Sequence, residues 1–239
     1  MRIAIVSDIH GNRTAFDAVL ADLRDTSPDR VLHGGDLADG GASPVEIVDH
    51  IRDLGWPGVI GNGEEALAAP DSLEDFAARS SAPAALWTAV REMMAATRAL
   101  LGEERLAWLG RLPRVHLDGA VALVHASPDT PWRAPGPEAD DAQLQSVYGP
   151  LGRAIAVYGH IHRPFFRTVG NLVVVNAGSV SLSYDGDPRA AYLLLDDTRP
   201  SIRRAEYDVE KEAGALSGCP IPHTDWIART LRAASPQMP

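Results

Sequence analysis

The first sixty residues alternate short apolar runs with segments of helical periodicity, and this alternation restricts the fold more than any other feature. Residues 3–6, 31–32 and 56–60 predict strands, whereas residues 14–23 and 44–54 carry apolar side chains at helical spacing. A β-α-β-α-β order is typical of a largely parallel sheet with helices on its faces. The sequence therefore predicts an α/β fold for this part of the chain.

The rest of the chain divides into a helical middle and a strand-rich second half. Residues 64–112 are rich in Ala, Leu, Met, Glu and Arg and predict two or three helices, with breaks near residues 80–83 and Gly102. We interpret them as a helical insert beside or over the site, within a single domain of residues 1–239; the alternative is an ordinary part of the helical layer. Further strands are predicted at residues 121–124, 154–158, 165–169, 172–175, 191–195 and 202–207, and a closing helix at residues 225–231.

The composition excludes several classes of function. The single cysteine, Cys219, rules out an intrachain disulfide and a cysteine-rich zinc site. A net charge of -10 argues against strong nucleic-acid binding, but it allows a small phosphorylated substrate where bound metals invert the local field. No run reaches the roughly 20 apolar residues of a membrane span, and the run after Arg2 is too short for an export signal. We therefore expect a cytoplasmic protein without a membrane partner, of unknown oligomeric state.

Polar residues follow most of the predicted strands at the point where each strand ends. Binding sites gather at the carboxyl ends of strands in such sheets, so these side chains are expected to meet at one edge. Two carboxylates, several imidazoles and one amide gathered there can hold two divalent metals. This donor mixture suits Mn, Fe, Zn, Co or Ni better than Ca or Mg. The seven candidate ligands are Asp8, His10, Asp36, Asn62, His125, His160 and His162.

Taken one at a time, these residues are weak evidence for a metal site. A lone Asp-x-His is more often part of a solvated loop, and a lone Gly-Asp is nearly uninformative, whereas Gly159-His160-x-His162 is moderately specific. Their order after successive predicted strands makes chance a poor explanation of the whole set. The histidines that lack this context are His33, His50, His116 and His223. Among them, His33 lies near Asp36 in the chain and stays a further candidate.

Five short blocks carry a resemblance to a known family: Asp8-x-His10, Gly35-Asp36, Gly61-Asn62, His125 and Gly159-His160-x-His162. They resemble the signature blocks of the calcineurin-like metallophosphoesterase superfamily, and the resemblance covers residues 1 to about 208. The closer likeness is to small bacterial phosphoesterases of the YfcE-like group, enlarged here by the helical segment. The resemblance implies a four-layer α/β/β/α sandwich with two mixed sheets and a helical insert.

The resemblance also implies how the ligands divide between two divalent transition metal ions, with Mn as the first choice. One ion would be held by Asp8, His10, Asp36 and His162, and the other by Asp36, Asn62, His125 and His160. A water that bridges two ions roughly 3.5–4 Å apart loses a proton, and the resulting hydroxide attacks phosphorus in line. The candidate catalytic residues, acting through that hydroxide and by positioning phosphate, are Asp36, Asn62 and His125.

The third block departs from the family pattern. Most of the superfamily has Gly-Asn-His followed by an acidic residue, whereas this chain has Gly61-Asn62-Gly63-Glu64. The family's His protonates the leaving oxygen or steadies the phosphoryl group, and Glu64 is left without the imidazole that it would orient. Because a positioned general acid contributes about 10²–10⁴ in rate, we expect substrates with good leaving groups or ring strain, such as aryl or cyclic phosphodiesters.

The predicted function is therefore a metal-dependent phosphodiesterase acting on a small phosphorylated substrate, with cyclic nucleotides as candidates. Substrate contacts are predicted at Asn12, which follows the bend at Gly11, and at Arg13 and Arg163, which adjoin ligand blocks. A broad phosphomonoesterase or a protein phosphatase is the alternative among enzymes. A non-catalytic scaffold of the same fold is the alternative of another class, and the complete ligand set argues against it.

Overall fold

The computed structural model describes residues 1–239 and contains nine β-strands, eight α-helices and one short 3-10 helix. The strands are β1 (Arg2–Val6), β2 (Arg30–His33), β3 (Val115–Asp118), β4 (Val121–Val124), β5 (Ile155–Tyr158), β6 (Phe165–Val169), β7 (Leu172–Asn176), β8 (Ala190–Asp196) and β9 (Arg199–Ala205). The helices are α1 (Arg13–Thr26), α2 (Pro44–Leu54), α3 (Asn62–Ala68), α4 (Asp71–Ala77), α5 (Ala84–Leu109), α6 (Asp141–Tyr148), α7 (Val209–Gly218) and α8 (Thr224–Ala233). None of the α-helices is long and apolar enough to cross a lipid bilayer.

The strands form two mixed sheets, as the resemblance implies. The first sheet has the order β2-β1-β8-β9, in which β1 is parallel to β2 and antiparallel to β8. The second has the order β3-β4-β5-β7-β6, with a parallel centre and antiparallel edge strands. The predicted hairpin of β6 and β7 is confirmed, since Val169 pairs with Leu172 across its turn.

The two sheets pack face to face, with helices on their outer faces. Side chains of a strand alternate between faces, and on β1 Ile5 shares the core between the sheets with Leu123 of β4. Ala4 instead shares a core with Phe16 of α1, on the outer side of the first sheet. Tyr148 of α6 covers the outer side of the second sheet. This layering confirms the α/β/β/α sandwich.

Three helices, α3 to α5, occupy the segment predicted to be helical. The chain leaves helical structure between Ala77 and Ala84, and α5 bends at Gly102, where φ is 70°. Both predicted breaks are therefore confirmed. Beyond the bend, α5 packs Leu109 into the outer core of the first sheet, whereas Met93 joins a cluster with α7 and α8. The single-domain boundary and the interpretation as an insert stay predictions.

The strand predicted at residues 56–60 is wrong, because this segment forms only one isolated β-bridge, between His33 and Gly58. Pro57 has no N–H to donate to a ladder, although its carbonyl accepts a hydrogen bond of 3.0 Å from the His33 N–H. The Ile60 N–H then turns to the Pro113 carbonyl at 2.9 Å, away from the first sheet. The first sheet therefore ends at β2 on this side.

Candidate metal centre

The candidate ligands stand on strained backbone. Five of the seven have a φ in the left-handed region, which non-glycine residues rarely adopt and which costs about 1–3 kcal/mol each. These φ angles are 58° at Asp8, 47° at His10, 50° at Asp36, 65° at His160 and 55° at His162. Such strain persists where surrounding structure holds it, and it clusters at functional sites. The tight turns after β1, β2 and β5 aim these side chains into one cleft between the sheet ends.

A first group of ligand atoms joins the end of β1 to the turn after β5. Asp8 is fully buried, and its Oδ1 lies 3.1 Å from Nε2 of His162 and 4.0 Å from Nε2 of His10. The same carboxylate accepts hydrogen bonds of 3.1 and 3.2 Å from the His160 N–H. Donor atoms of Asp8, His10 and His162 all lie within 4.8 Å of one another.

A second group brings together the remaining ligands. Asp36, His125 and His160 offer donor atoms within 4.8 Å of one another. The side-chain amide of Asn62 lies 3.0 Å from Nε2 of His125 and 2.8 Å from Nδ1 of His160. The structure therefore brings all seven sequence-predicted ligands into one centre, in two adjoining groups.

Asp36 lies between the two groups. Its Oδ2 is 3.8 Å from Nε2 of His10 and 3.4 Å from Nε2 of His125. Its Oδ1 accepts a hydrogen bond of 2.8 Å from the Gly63 N–H, which fixes the carboxylate plane. A carboxylate held in this position can serve both groups at once.

The tautomers of three histidines show that the centre suits a cation. Nδ1 lies 2.8 Å from the Gly34 carbonyl in His125, 2.7 Å from the Leu182 carbonyl in His162 and 3.0 Å from the Asp39 carbonyl in His10. Each carbonyl can only accept, so each Nδ1 carries a proton, and a ring that is neutral, as a metal ligand must be, turns the lone pair of Nε2 inward. The Nε2 atoms of His10 and His162 face each other at 3.3 Å. Two facing lone pairs repel, and a metal ion between donors of this kind relieves that repulsion.

Carboxylates raise the pKa values of two histidines of the centre above their usual range, which is a further sign that the centre suits a cation. Burial by itself would lower the pKa of His10, but the surrounding carboxylates, Asp39 foremost, raise it to about 10. Burial opposes protonation of His125 as well, and Asp36 raises its pKa to about 10. Burial lowers the pKa of His160 to about 4. Metal ligation requires neutral imidazoles, so binding to this centre releases protons.

Glu64 lacks the imidazole that the family pattern would place beside it, but it has three backbone partners. Its fully buried carboxylate accepts hydrogen bonds from the backbone N–H groups of Asp36 at 2.7 Å, Leu37 at 2.7 Å and Gly61 at 2.9 Å. It therefore joins the turn after β2 to the start of α3. Burial and the charge of Asp36 raise the pKa of Glu64 to about 7, while the Leu37 N–H opposes the shift. In this chain the acidic residue of the third block positions backbone instead of an imidazole.

Gly63 is closely packed even though it lacks a side chain. A Cβ built there would overlap Oδ1 of Asp39 and lie 3.1 Å from Oδ1 of Asp36. Asp39 also places its Oδ2 3.2 Å from Nδ1 of His10. The space into which a side chain at position 63 would grow is therefore occupied by Asp39. Sequence reasoning missed Asp39, whose only signal is its place three residues after Asp36 in the same turn.

The predicted substrate contacts are all engaged within the protein, and none of them lines the cavity at the centre. Asn12 is buried, caps α1 by accepting from the Ala15 N–H at 2.9 Å, and donates to Ser181 at 3.1 Å. Arg13 pairs with Asp17 one turn along α1 at 2.9 Å. Arg163 donates to the Tyr184 carbonyl at 3.1 Å. His33, the further histidine candidate, is buried beside Trp108 of α5 and has no hydrogen-bond partner on either ring nitrogen.

Comparison with known proteins identifies the family to which this geometry belongs. Residues 1–199 match the sequence profile of the calcineurin-like phosphoesterase superfamily domain. The chain belongs to this superfamily. The family predicted from the five blocks is thus confirmed, and the divalent metals on which calcineurin-like phosphoesterases depend fit the donor set described above.

Two relatives of this phosphoesterase differ in how much of them it matches. The uncharacterised protein MJ0912 of Methanocaldococcus jannaschii is 31% identical over 96% of this chain and 96% of its own length. The symmetrical bis(5'-nucleosyl)-tetraphosphatase of Methylococcus capsulatus is 31% identical over 62% of this chain, and the match spans 50% of that protein.

Two solved structures share the fold over nearly the whole chain. A metallophosphoesterase from Sphaerobacter thermophilus has a TM-score of 0.78 at 27% identity, over 98% of this chain and 100% of its own. The protein PH1004 from Pyrococcus horikoshii OT3 has a TM-score of 0.84 at 16% identity, over 99% of both chains. The phosphoesterase YfcE from E. coli is also a neighbour, with a TM-score of 0.49 at 18% identity over 86% of this chain and 100% of its own.

Proposed function

We propose that this protein hydrolyses phosphodiesters with good leaving groups or ring strain, including cyclic nucleotides, using two divalent metal ions. The observation that carries the proposal is Asp36, whose carboxylate lies within 3.8 Å of Nε2 of His10 and 3.4 Å of Nε2 of His125. A phosphoryl group needs charge neutralisation on its oxygens and an activated water, and these are the two things that a pair of divalent metals supplies when bound.

Each ligand group would hold one ion, and Asp36 would belong to both. The first ion would be held by Asp8, His10, Asp36 and His162, and the second by Asp36, Asn62, His125 and His160. Imidazole nitrogens mixed with carboxylate and amide oxygens favour Mn, with Fe, Co, Ni and Zn as the other choices. Asp36, Asn62 and His125 orient the phosphate in this proposal. The buried Asp8 keeps the turn after β5 in place through the His160 N–H.

The preference for esters with good leaving groups follows from the residue at position 63. Gly63 carries no imidazole, and the side chain of Asp39 fills the space beside it. Without a positioned general acid the leaving oxygen must depart with little help, and such help is worth about 10²–10⁴ in rate. Aryl diesters and strained cyclic diesters depend least on protonation of the leaving oxygen. Unactivated alkyl monoesters depend on it most.

A panel of substrates with separately supplied Mn, Ni, Co, Zn and Mg tests the proposal. Bis(p-nitrophenyl) phosphate and 2′,3′-cyclic nucleotides should be hydrolysed with kcat/KM at least about tenfold above that of an alkyl monoester. Asp36→Asn should lower activity by more than about 100-fold and reduce the bound metal below two ions per chain. Mutation of a metal ligand is expected to cost more than mutation of a residue that hydrogen-bonds a ligand, which typically costs about 10–100-fold. Asp53→Asn, at an exposed position of α2, is the matched control.

A preference for alkyl monoesters would contradict the diester assignment and favour a phosphomonoesterase. Protein loaded with two ions but inactive on every ester would favour the non-catalytic scaffold. Metal content measured on the same samples separates that outcome from simple failure to load.

A further inference from the structure

We propose that the cavity beside the metal centre binds the uncharged, apolar part of a substrate with a single phosphoryl group. Helices α5 and α8 would then select the ester, and an aromatic ring is the group that the cavity fits best. This inference rests on the proposed function, since it places the phosphoryl group on the metal centre.

The cavity has one polar side and one apolar side. Its volume is about 220 Å³, and its polar side is formed by the metal-centre residues, among them Asp36, Asn62 and His160. The opposite side, which we call the apolar wall, consists of Val90, Met93 and Met94 of α5 together with Trp226 and Ile227 of α8. An ester bound through its phosphate at the polar side would therefore direct its organic group toward the apolar wall.

The apolar wall is only partly used by the core. Met93 and Ile227 are buried in the cluster that joins α5 to α7 and α8. Val90, Met94 and Trp226 stay half-buried and face the cavity. Apolar side chains left in a concave surface beside convergent polar groups are typical of ligand sites.

Two contacts near the start of α8 help to hold the wall in place. His223, at the start of α8, lies 2.6 Å from the Glu92 carboxylate of α5. The indole N–H of Trp226 donates to the Gln237 carbonyl at 2.8 Å, so its polar atom is satisfied away from the substrate. The two helices thus present a fixed surface, and a fixed surface loses little conformational entropy on binding.

Tyr184 closes the cavity between the wall and the metal centre. Its ring stacks on His162 with centroids 4.6 Å apart and an interplanar angle of 27°. A flat aromatic surface beside a metal ligand suits another flat group, because offset-stacked rings gain about 0.5–1.5 kcal/mol beyond their buried area.

The cavity offers no lysine or arginine side chain to a substrate, and Asp39 adds a carboxylate to its lining. The arginines nearest in sequence to the wall are paired elsewhere, Arg91 with Glu74 and Arg229 with Asp225. Polyphosphates are recognised through Arg and Lys, so additional phosphates would find no partner here and would meet the charge of Asp39.

The volume of the cavity also favours a small substrate. Drug-sized ligands occupy pockets of roughly 300–1,000 Å³, and this cavity of about 220 Å³ is smaller. It suits one ring or one base better than a dinucleotide. The chemical class is therefore an aromatic or similarly apolar ester of one phosphoryl group.

Two phosphonates that share a headgroup test this inference without relying on turnover. Calorimetric titration of the metal-loaded protein should give a Kd for phenylphosphonate about tenfold or more below that for methylphosphonate, because only the phenyl group can bury area on the wall. Val90→Asn and Trp226→Ala change the wall from two different helices. Each should reduce the ratio to below about threefold while methylphosphonate affinity stays unchanged.

Leu100→Asn is the matched control, because Leu100 lies on α5 outside the cavity and is 39% exposed. It should keep the native ratio. Thermal unfolding of each variant shows whether the substitution has destabilised the fold as a whole. The ratio of the two Kd values in the native protein tests the inference without any variant.

Equal binding of the two phosphonates by the native protein would overturn this inference and leave the proposed function intact. Absence of binding by either phosphonate, together with no hydrolysis of any ester in the panel, would overturn both. Hydrolysis of diadenosine tetraphosphate with kcat/KM above that of bis(p-nitrophenyl) phosphate would also overturn the single-phosphoryl assignment.

Discussion

The metal centre and the apolar wall that faces it are built in opposite ways. The centre consists of polar side chains on tight turns, five of them with a left-handed φ. The wall consists of apolar side chains on α8 and on the part of α5 before its bend. Strained turns hold donor atoms in one arrangement, whereas a helix face changes its shape by a single substitution without moving backbone. Chemistry and selectivity are therefore separable in this molecule, and changes on one side should leave the other intact.

Among tests of this contrast, the largest expected effect concerns the support of the centre by Glu64. In Glu64→Gln one carboxylate oxygen becomes an NH₂ group that faces a backbone donor, so at least one buried N–H loses its partner. At pH 8, where Glu64 is ionised, we expect metal affinity to fall about 10–100-fold and the free energy of unfolding to fall by about 1–3 kcal/mol. Metal titration and urea unfolding measure the two effects.

Glu103→Gln, at an exposed position of α5, is the control for the Glu64 variant. Unchanged metal affinity in Glu64→Gln would show that the turns of the centre hold their shape without this carboxylate. The contrast between a centre whose turns depend on a buried carboxylate and a wall carried by helices would then be lost.

A smaller effect is expected from restoring an imidazole at position 63. Because a Cβ there would overlap Asp39, the useful variant is Gly63→His combined with Asp39→Gly. Its kcat/KM for an alkyl monoester relative to an aryl diester should rise by about tenfold, the lower part of the range for a positioned acid. Gly63→Ala with Asp39→Gly keeps the same backbone changes without the imidazole. A ratio that is equal in the two double variants would show that the leaving group does not depend on this position.

The last effect appears only below pH 6.5, and it sharpens the comparison through two buried histidines. Carboxylates raise the pKa of His10 to about 10, whereas burial in apolar surroundings lowers the pKa of His33 to about 3. The unfolded chain protonates His33 near pH 6.5 and the folded chain does not. His33 therefore adds no pH dependence to the free energy of unfolding above pH 6.5. Between pH 6.5 and pH 3 it lowers this free energy by about 1.4 kcal/mol for each unit by which the pH falls.

His33→Leu should remove this slope, and urea unfolding at several pH values from 7.5 to 4 measures it. At pH 7.5 His33 is uncharged in both the folded and the unfolded protein. The difference in free energy of unfolding between the native protein and His33→Leu at this pH therefore gives the packing cost of the substitution alone. Curves that run parallel from pH 7.5 to pH 4 would show that His33 is protonated in the folded protein.

Local patterns were enough for much of the fold. The apolar runs predicted β1, β2 and β4 to β9 approximately, and turn residues placed the β6–β7 hairpin. Helices α6 and α7 were not predicted, although Asp140 and Asp208 cap them by accepting from N–H groups three residues on. Their apolar faces are short, so periodicity alone gives a weak signal. The strand at residues 56–60 failed for a different reason, because an apolar run cannot report whether a neighbouring strand is available to pair with it.

The site could be predicted as a set of residues but not as a geometry. The strand-end positions named the seven candidate ligands. The strands that precede these ligands belong to both sheets, so the ligands meet where the ends of the two sheets adjoin. Nothing in the sequence indicated that Glu64 would bind three backbone N–H groups, that Asp39 would fill the space beside Gly63, or that Tyr184 would stack on His162.

The sequence by itself determined the family, the strand-end donors and the missing imidazole, because these depend on residue types at fixed short spacings. Only the tertiary structure decided what surrounds them. His10 and His162 meet although they are 152 positions apart, and α8 reaches the cavity from the end of the chain. Contacts of this range depend on how layers pack, and packing sums many weak interactions that no local pattern records.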